Sequence, residues 1–192
     1  MKKKTIIVAS HNPGKIKEME YYLKKINFNV LKAKEFKLTE PEENGKTFEE
    51  NALIKSRYVN KKTEKIAISD DSGLVIPILQ GYPGIFSSRL AGKNKNFEYA
   101  MENLNKLIFK KETIAYYISV LAISWKRNKE KTFTGKIFGK LIWPPRGNFG
   151  FGYDPIFVPN GYNKTFGEIK HNIKKRISHR AIAFKKLINF LN

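Results

Sequence analysis

The sequence predicts an α/β fold with a mixed β-sheet, and three features of it carry that prediction. A short β-branched run at residues 5–10 is followed at once by a helical pattern. Two longer strand-like runs, 114–125 and 132–142, are separated only by a polar turn at 126–131, which is typical of a hairpin. Strand–helix alternation together with a hairpin favours an elongated mixed sheet flanked by helices over a purely parallel one. We therefore expect two lobes with a central cleft.

The first third of the chain alternates strands and helices. Asn12, Pro13 and Gly14 end the first strand, and a stripe of apolar residues one helical turn apart follows them. Thr47 and Glu50 match a capping box, with Thr47 as the N-cap of the second helix. The predicted elements are strand 5–10, helix 15–26, strand 29–33 and helix 47–61.

The remaining elements surround a short acidic motif, Asp70-Asp71-Ser72-Gly73. Apolar, β-rich runs lie on both sides of this motif, and glycine-rich segments at 81–84 and 143–152 predict a turn and a loop. The predicted elements are strands 66–69 and 74–79, helix 97–108, strands 114–125 and 132–142, a short strand at 156–158 and helix 178–190.

Composition limits the class of protein. The chain of 192 residues suffices for one domain of two lobes spanning residues 1–192. It has no cysteine, which excludes disulfides, thiolate metal sites and a cysteine nucleophile. The apolar run after the basic N-terminus is too short for a signal peptide, and no run is long enough to span a bilayer. We expect a cytoplasmic protein without a membrane partner.

The formal net charge of +20 is compatible with two explanations. A polyanionic partner would account for it, and so would a compositional bias toward lysine. The basic residues are scattered along the chain, which favours the bias. In either case the charge would attract a triphosphate over long range.

The first candidate site is the strand-to-helix junction formed by Ser10, His11, Asn12, Pro13, Gly14 and Lys15. Unpaired N–H groups at a helix start stabilise an anion, and Ser10, Asn12 and Lys15 would add donors and charge. A plain turn with a solvated lysine is the alternative interpretation. The motif matches neither the Walker loop nor the dinucleotide-binding loop.

Carboxylates supply the second candidate site. Successive strand residues point to opposite faces, so only one of Asp70 and Asp71 can readily face a cleft. Such a carboxylate suits Mg²⁺, although Asp, Ser and Gly are also turn formers. Glu42 and Glu43 lie in a loop and are candidates for a second metal ligand, or simply solvated charges. Lys55 lies four residues after Asn51, on the same helical face.

Two further motifs combine glycine, aromatic and basic residues. The first, Gly150-Phe151-Gly152-Tyr153-Asp154-Pro155, could expose an aromatic face to a flat ligand, or form a tight bend with core aromatics. The second, Ser178-His179-Arg180, opens the last helix with Ser178 as a plausible N-cap. A positive charge in a first helical turn is mildly unfavourable, which suggests an external partner for Arg180. A surface His–Arg pair is the alternative.

Taken together and in this order, the motifs resemble the inosine triphosphate pyrophosphatase family, which hydrolyses ITP, dITP and XTP to the monophosphate and pyrophosphate. The resemblance covers nearly the whole chain. His11 departs from it, where a small residue is common, and so does the pair Lys175-Arg176. The matching segments are 10–15 with Glu18, 47–55, 70–74, 81–89, 150–157, 164–165 with Glu168, and 174–180.

The resemblance implies a role for each candidate residue. Asp71 would be the catalytic base and a Mg²⁺ ligand, and Glu42 the second metal carboxylate, with Glu43 adjacent to it. The family is usually homodimeric, so a homodimer is expected. The implied contacts to the triphosphate are Ser10, Asn12, Lys15 and Lys55. Further implied substrate contacts are His11, Pro13, Gly14 and Ser72. The implied base pocket consists of Phe151, Gly152, Tyr153, Asp154, Lys174, His179 and Arg180.

Three other functions remain as alternatives. A related pyrophosphatase of the Maf type would act on modified pyrimidine triphosphates, but the last two motifs fit the purine type. A nucleic-acid-binding protein would explain the charge, yet no DNA- or RNA-binding motif is present. A phosphate-binding protein without catalysis is disfavoured by the presence of Asp71 and Glu42. We therefore expect a nucleotide partner and no nucleic acid.

Overall fold

The computed structural model describes residues 3–108, 113–126 and 129–191, so part of the predicted turn at 126–131 lies outside the described residues. The strands are β1 (Thr5–Val8), β2 (Asn29–Lys32), β3 (Ile66–Val75), β4 (Thr113–Trp125), β5 (Lys129–Leu141) and β6 (Phe157–Pro159). The helices are α1 (Pro13–Lys25), α2 (Phe48–Thr63), α3 (Ser87–Leu90), α4 (Phe97–Leu107), α5 (His171–Ile177) and α6 (His179–Leu191).

The six strands form one sheet in the order β2-β1-β3-β4-β5-β6. Strand β1 pairs in parallel with β2 and with β3, whereas β5 pairs with β6 in antiparallel fashion. The sheet is therefore mixed, and the predicted α/β fold class is confirmed. Among the described residues, no helix is both long enough and apolar enough to cross a membrane.

The chain divides into two compact units. The first comprises Met1–Asp71, Ser119–Thr134 and Ala183–Asn192, and the second comprises Ser72–Ile118 and Gly135–Ile182. Each unit has its own apolar core. In the first, a core cluster consists of Ile7, Ala9, Ala33, Val59 and Ala67. In the second, it is larger and includes Leu74, Ile76, Met101, Leu104, Tyr117, Tyr153, Phe157 and Phe166.

Side-chain caps fix where the first two helices begin. The Asn12 side chain accepts a hydrogen bond from the Lys15 N–H at 3.1 Å, and Pro13 occupies the first helical position of α1. Thr47 accepts from the Glu50 N–H at 3.1 Å and so caps α2 as predicted. The second half of the predicted capping box is wrong, because the Glu50 carboxylate accepts from the Lys46 N–H at 2.6 Å instead.

The structure corrects several of the predicted elements. Strands 66–69 and 74–79 are one strand, β3, which runs through the acidic motif without a turn. A short 3₁₀ helix, Pro77–Leu79, replaces the end of the second predicted strand. Helix α5 was not predicted. It has only seven residues, three of them basic, and its two apolar residues, Ile173 and Ile177, are too few to mark a helix by their spacing.

Candidate functional site

Five charged residues of the first unit form a partly buried group, which we call the acidic–basic cluster: Lys15, Glu43, Lys55, Asp70 and Asp71. The Lys15 ammonium lies 3.0 Å from Asp70 Oδ2. The Lys55 ammonium lies 2.6 Å from Glu43 Oε1 and 3.5 Å from Asp71 Oδ1. Helix α2 supplies Lys55, β3 supplies both aspartates, and α1 supplies Lys15, so three elements of the unit meet here.

The two adjacent aspartates have different surroundings. Asp70 is held by Lys15 at one carboxylate oxygen and by the Ser119 hydroxyl, at 2.5 Å, at the other. Asp71 Oδ2 is buried and has no hydrogen-bond partner within the described part of the chain. Buried polar atoms are nearly always satisfied, so such an oxygen is suited to an added ligand. Asp71 is therefore the candidate for binding a ligand through this oxygen, and its role as catalytic base and metal ligand stays a prediction.

Burial and charge act together on the titration of this cluster. Burial raises the pKa of Asp71, and the ammonium groups of Lys55 and Lys15 oppose that effect without cancelling it. Burial alone would lower the pKa of Lys55, but Asp71 and Glu43 outweigh it, and the net pKa is raised. Lys55 is therefore held as a cation beside the oxygens of Asp71.

The two neighbouring glutamates are also distinguished. Glu43 is half-buried and contacts Lys55, whereas Glu42 is exposed. The structure thus brings Glu43 rather than Glu42 into the acidic–basic cluster. The role of Glu42 as a metal ligand stays a prediction. Within residues 3–108, 113–126 and 129–191, no group of three or more His, Asp or Glu side chains could hold a metal ion.

The N-terminal loop uses its polar side chains internally. Ser10 Oγ accepts from the Asn12 N–H at 3.2 Å, and Asn12 in turn caps α1. Pro13 and Gly14 form the first turn of that helix. Lys15 is ion-paired with Asp70, so it is not the solvated lysine of the alternative interpretation. The exposed His11 ring lies 3.0 Å from the Leu38 carbonyl oxygen.

In the second unit, a buried carboxylate organises the predicted base-recognition residues, and we call this group the Asp154 cluster: Tyr117, Phe151, Asp154, Lys174 and His179. Asp154 Oδ2 accepts from the Lys174 ammonium at 2.5 Å and from the Phe151 N–H at 2.8 Å. The Tyr117 hydroxyl also bonds to Asp154, and the Tyr117 ring stacks on His179 with centroids 4.8 Å apart.

The glycine of this loop allows a close backbone approach. Gly150 has a φ of +82°, and a Cβ there would lie 1.9 Å from Asp154 Oδ2. This glycine therefore lets the loop wrap around a buried carboxylate, which corresponds to the tight bend, the second interpretation of this motif, while presentation of an aromatic face to a ligand stays a prediction. The Tyr153 ring is buried, and its hydroxyl donates to the Ser87 carbonyl at 2.7 Å. Phe151, in contrast, is 37% exposed.

The start of α6 places a buried arginine. Ser178 Oγ accepts from the Ala181 N–H at 3.2 Å and thus acts as the predicted N-cap. Arg180 is 1% exposed, and its guanidinium donates to Ser72 Oγ at 3.0 Å. The alternative of a surface His–Arg pair is wrong, because both His179 and Arg180 are buried.

Sequence reasoning missed Tyr117 and Ser119 and left Asp70 without a role. Tyr117 belongs to β4 and gives no local signal, because an aromatic residue in a strand is ordinary. Ser119 is equally ordinary by sequence. The doubled aspartate did carry a signal: two adjacent carboxylates in a buried run each require a compensating partner.

The fold and the acidic–basic cluster define an α/β protein that buries carboxylate and ammonium groups side by side, which is the side-chain chemistry of phosphate-processing sites. The model of the Ham1 family matches residues 6–190. The chain belongs to the Ham1 family.

Relatives and solved structures agree with this membership. A dITP/XTP pyrophosphatase of Zymomonas mobilis is 42% identical over 95% of this chain and 90% of the relative. One of Brucella melitensis is 42% identical over 96% and 92%. The Ham1 protein of Staphylococcus aureus has a TM-score of 0.89 at 37% identity, with 98% of each chain covered. A HAM1 protein of Coxiella burnetii has a TM-score of 0.91 at 35% identity, also with 98% of each covered.

Removal of the Asp154 carboxylate should destabilise the fold strongly. Asp154→Ala leaves the buried Lys174 ammonium without its carboxylate, and we expect the free energy of unfolding to fall by about 3–5 kcal/mol. Arg57→Ala is the matched control, because it breaks an ion pair with Glu130 in which the Arg57 side chain is 56% exposed. That loss should stay within about 1 kcal/mol. Equal losses in urea unfolding would contradict the assignment.

Proposed function

We propose that this protein hydrolyses deaminated purine nucleoside triphosphates (dITP, ITP and XTP) to the monophosphate and pyrophosphate. The relatives named dITP/XTP pyrophosphatase, matched over nearly their full length, support the substrate class. The observation that carries the proposal is Asp71 Oδ2, a buried carboxylate oxygen without a partner in the described structure, next to the Lys55 ammonium. Such hydrolysis would remove these nucleotides before they are incorporated into DNA or RNA.

The acidic–basic cluster fits a divalent cation. Mg²⁺ prefers oxygen ligands, needs few of them from the protein and keeps several waters, so Asp71 and one nearby glutamate would suffice. Glu42, which is exposed, is the predicted second ligand, and Glu43 is the alternative, because it is the glutamate that the structure brings to Lys55. When bound, the ion would neutralise charge on the phosphate oxygens.

The remaining chemistry falls to the side chains of the cluster. Asp71 orients a water molecule and accepts its proton. That water attacks the α-phosphorus, the bond between the α-phosphorus and the bridging oxygen breaks, and pyrophosphate leaves as one unit. Lys55 and Lys15 stabilise the negative charge that develops on the leaving group.

Base selection follows from hydrogen-bond polarity. Hypoxanthine and xanthine carry an oxygen at position 6, whereas adenine carries an amino group there. Lys174 and the Phe151 N–H are bound to Asp154, so the donors that we assign to the base are His179 and Arg180, which are adjacent in sequence. Adenine would leave such donors unsatisfied, which can reject it by roughly 10⁴-fold. The buried Tyr117–His179 stack supports a fixed orientation for the imidazole.

The proposal is tested with a nucleotide panel. Purified protein with Mg²⁺ is assayed for pyrophosphate and orthophosphate from ITP, dITP, XTP, ATP, GTP and dUTP. We expect pyrophosphate from the first three and little from ATP. Preferential turnover of dUTP would instead support a pyrimidine-specific enzyme. Release of orthophosphate would contradict attack at the α-phosphorus.

Asp71→Asn should abolish turnover while the fold is retained. The amide cannot accept the proton of the attacking water, so we expect kcat to fall by about 10³-fold or more. Asp70→Asn is the matched control, because Asp70 is already bound to Lys15 and Ser119. Asp70→Asn should lower the melting temperature, but its kcat should fall much less than that of Asp71→Asn. Near-normal turnover in the Asp71 variant would remove its assigned role.

A comparison of the variants Glu42→Gln and Glu43→Gln should show which glutamate binds the metal and which one only pairs with Lys55. The ligand variant should need roughly 10-fold or more Mg²⁺ for half-maximal activity, because one charged oxygen is lost. The other variant should keep its Mg²⁺ dependence. We expect Glu42→Gln to show the shift. The reverse pattern would assign the metal to Glu43, and no shift in either variant would exclude both glutamates.

His179→Ala should weaken base discrimination more than folding. Loss of one buried donor should lower the ratio of kcat/KM for ITP to that for ATP by about 10- to 100-fold. Tyr117→Phe is a useful comparison, since it keeps the aromatic stack on His179 and removes only the bond to Asp154. If the ITP/ATP ratio of the alanine variant equals that of the wild type, His179 does not read the base.

A further inference from the structure

We propose that Asn51 is a positioning residue that holds the loop carrying Glu42 and Glu43 in place for metal binding. The inference rests on the proposed function for its metal part. Asn51 lies in α2, one helical turn before Lys55, and is fully buried. It has no assigned role in the chemistry described above, yet it is joined to the loop directly.

The contact is made by the side-chain oxygen. Asn51 Oδ1 accepts a hydrogen bond from the Gly45 N–H at 2.9 Å. Two other residues of α2 hold the same loop: Glu50 accepts from the Lys46 N–H at 2.6 Å, and Lys55 donates to Glu43 at 2.6 Å. Asn51 and Lys55 are both buried, whereas Glu50 is exposed, so the acceptor oxygen of Asn51 is shielded from water.

The absence of a side chain at Gly45 allows the loop to approach α2 closely. A Cβ at this position would lie 2.7 Å from Asn51 Oδ1 and 2.7 Å from Glu50 Cβ. A side chain would therefore push the loop away from α2. Because Gly45 follows Glu43 by only two residues, any displacement at Gly45 is transmitted to both glutamates.

The other half of the Asn51 amide indicates that this position is not optimised for stability. Asn51 Nδ2 is buried and, within the residues that the structure describes, has no hydrogen-bond partner. Buried donors are normally satisfied, and exceptions concentrate at functional sites. An apolar residue would avoid this cost but could not hold the Gly45 N–H. The amide is therefore explained by its hold on the loop.

Hydrogen exchange tests the contact without any assay of activity. Amide exchange of the full-length protein is followed by NMR in the wild type, Asn51→Leu and Asn51→Asp. The leucine variant should accelerate exchange at Gly45 by about 10-fold or more, because its acceptor is lost. The aspartate variant retains an acceptor and should keep most of the protection. Unchanged exchange at Gly45 in the leucine variant would overturn the proposal.

The functional consequence is tested by Mg²⁺ titration of pyrophosphate release. Asn51→Leu and Gly45→Ala should each raise the Mg²⁺ concentration for half-maximal activity by about 10-fold, with a smaller change in kcat at saturating Mg²⁺. Gly45→Ala keeps Asn51 intact and serves if the leucine variant does not fold.

Asn105→Leu is the matched control, since Asn105 is also a buried helical asparagine, but of the second unit. One atom of its amide, Oδ1, lacks a partner in the described residues, as Nδ2 of Asn51 does. It should leave the Mg²⁺ dependence unchanged. An equal shift in this control, or none in Asn51→Leu and Gly45→Ala, would overturn the positioning role. A wild-type protein that releases no pyrophosphate would overturn the proposed function, and the exchange result would still decide the loop contact.

Discussion

The buried ammonium of Lys55 is the constraint on which the rest of the first unit depends. An isolated charge in a protein interior is costly, and here Asp71 and Glu43 offset that cost at distances of 3.5 and 2.6 Å. Three segments must therefore keep fixed positions relative to one another: β3, α2 and the loop before α2. A site that processes phosphates needs this kind of fixed charge, because groups that are already oriented do not have to reorganise during the reaction.

The second unit also contains a buried charge that needs compensation, but here the central charge is negative. Asp154 is the buried carboxylate, and Lys174, the Phe151 N–H and the Tyr117 hydroxyl surround it. Once these donors are taken up by Asp154, the residues that carry them are fixed in orientation. His179 is fixed in turn by its stack on Tyr117. The specificity that we propose for this unit thus depends on an internal network and not on single exposed side chains.

Local sequence patterns were reliable wherever their cause was local. The caps Thr47 and Ser178 lie where the sequence predicted them, because a cap bonds to residues only two or three positions away. The interruption predicted between strands 66–69 and 74–79 is wrong, because β3 is continuous through the acidic motif. Asp, Ser and Gly favour turns locally, and only the compensation of Asp70 by Lys15 and Ser119 lets β3 continue through them. Helix α5 was missed because its seven residues contain only two apolar ones, which are too few to establish a helical period.

The sequence by itself determined the α/β class, the caps of α2 and α6 and the residue types available for chemistry, since strand periodicity, capping and composition are encoded within a few residues. Only the tertiary structure decided which of two adjacent carboxylates has an oxygen left over, which glutamate meets Lys55, and that Tyr117 joins Asp154 to His179. Those outcomes depend on partners far apart in the chain, because such partners set the pKa and the hydrogen bonding of a buried charge or hydroxyl.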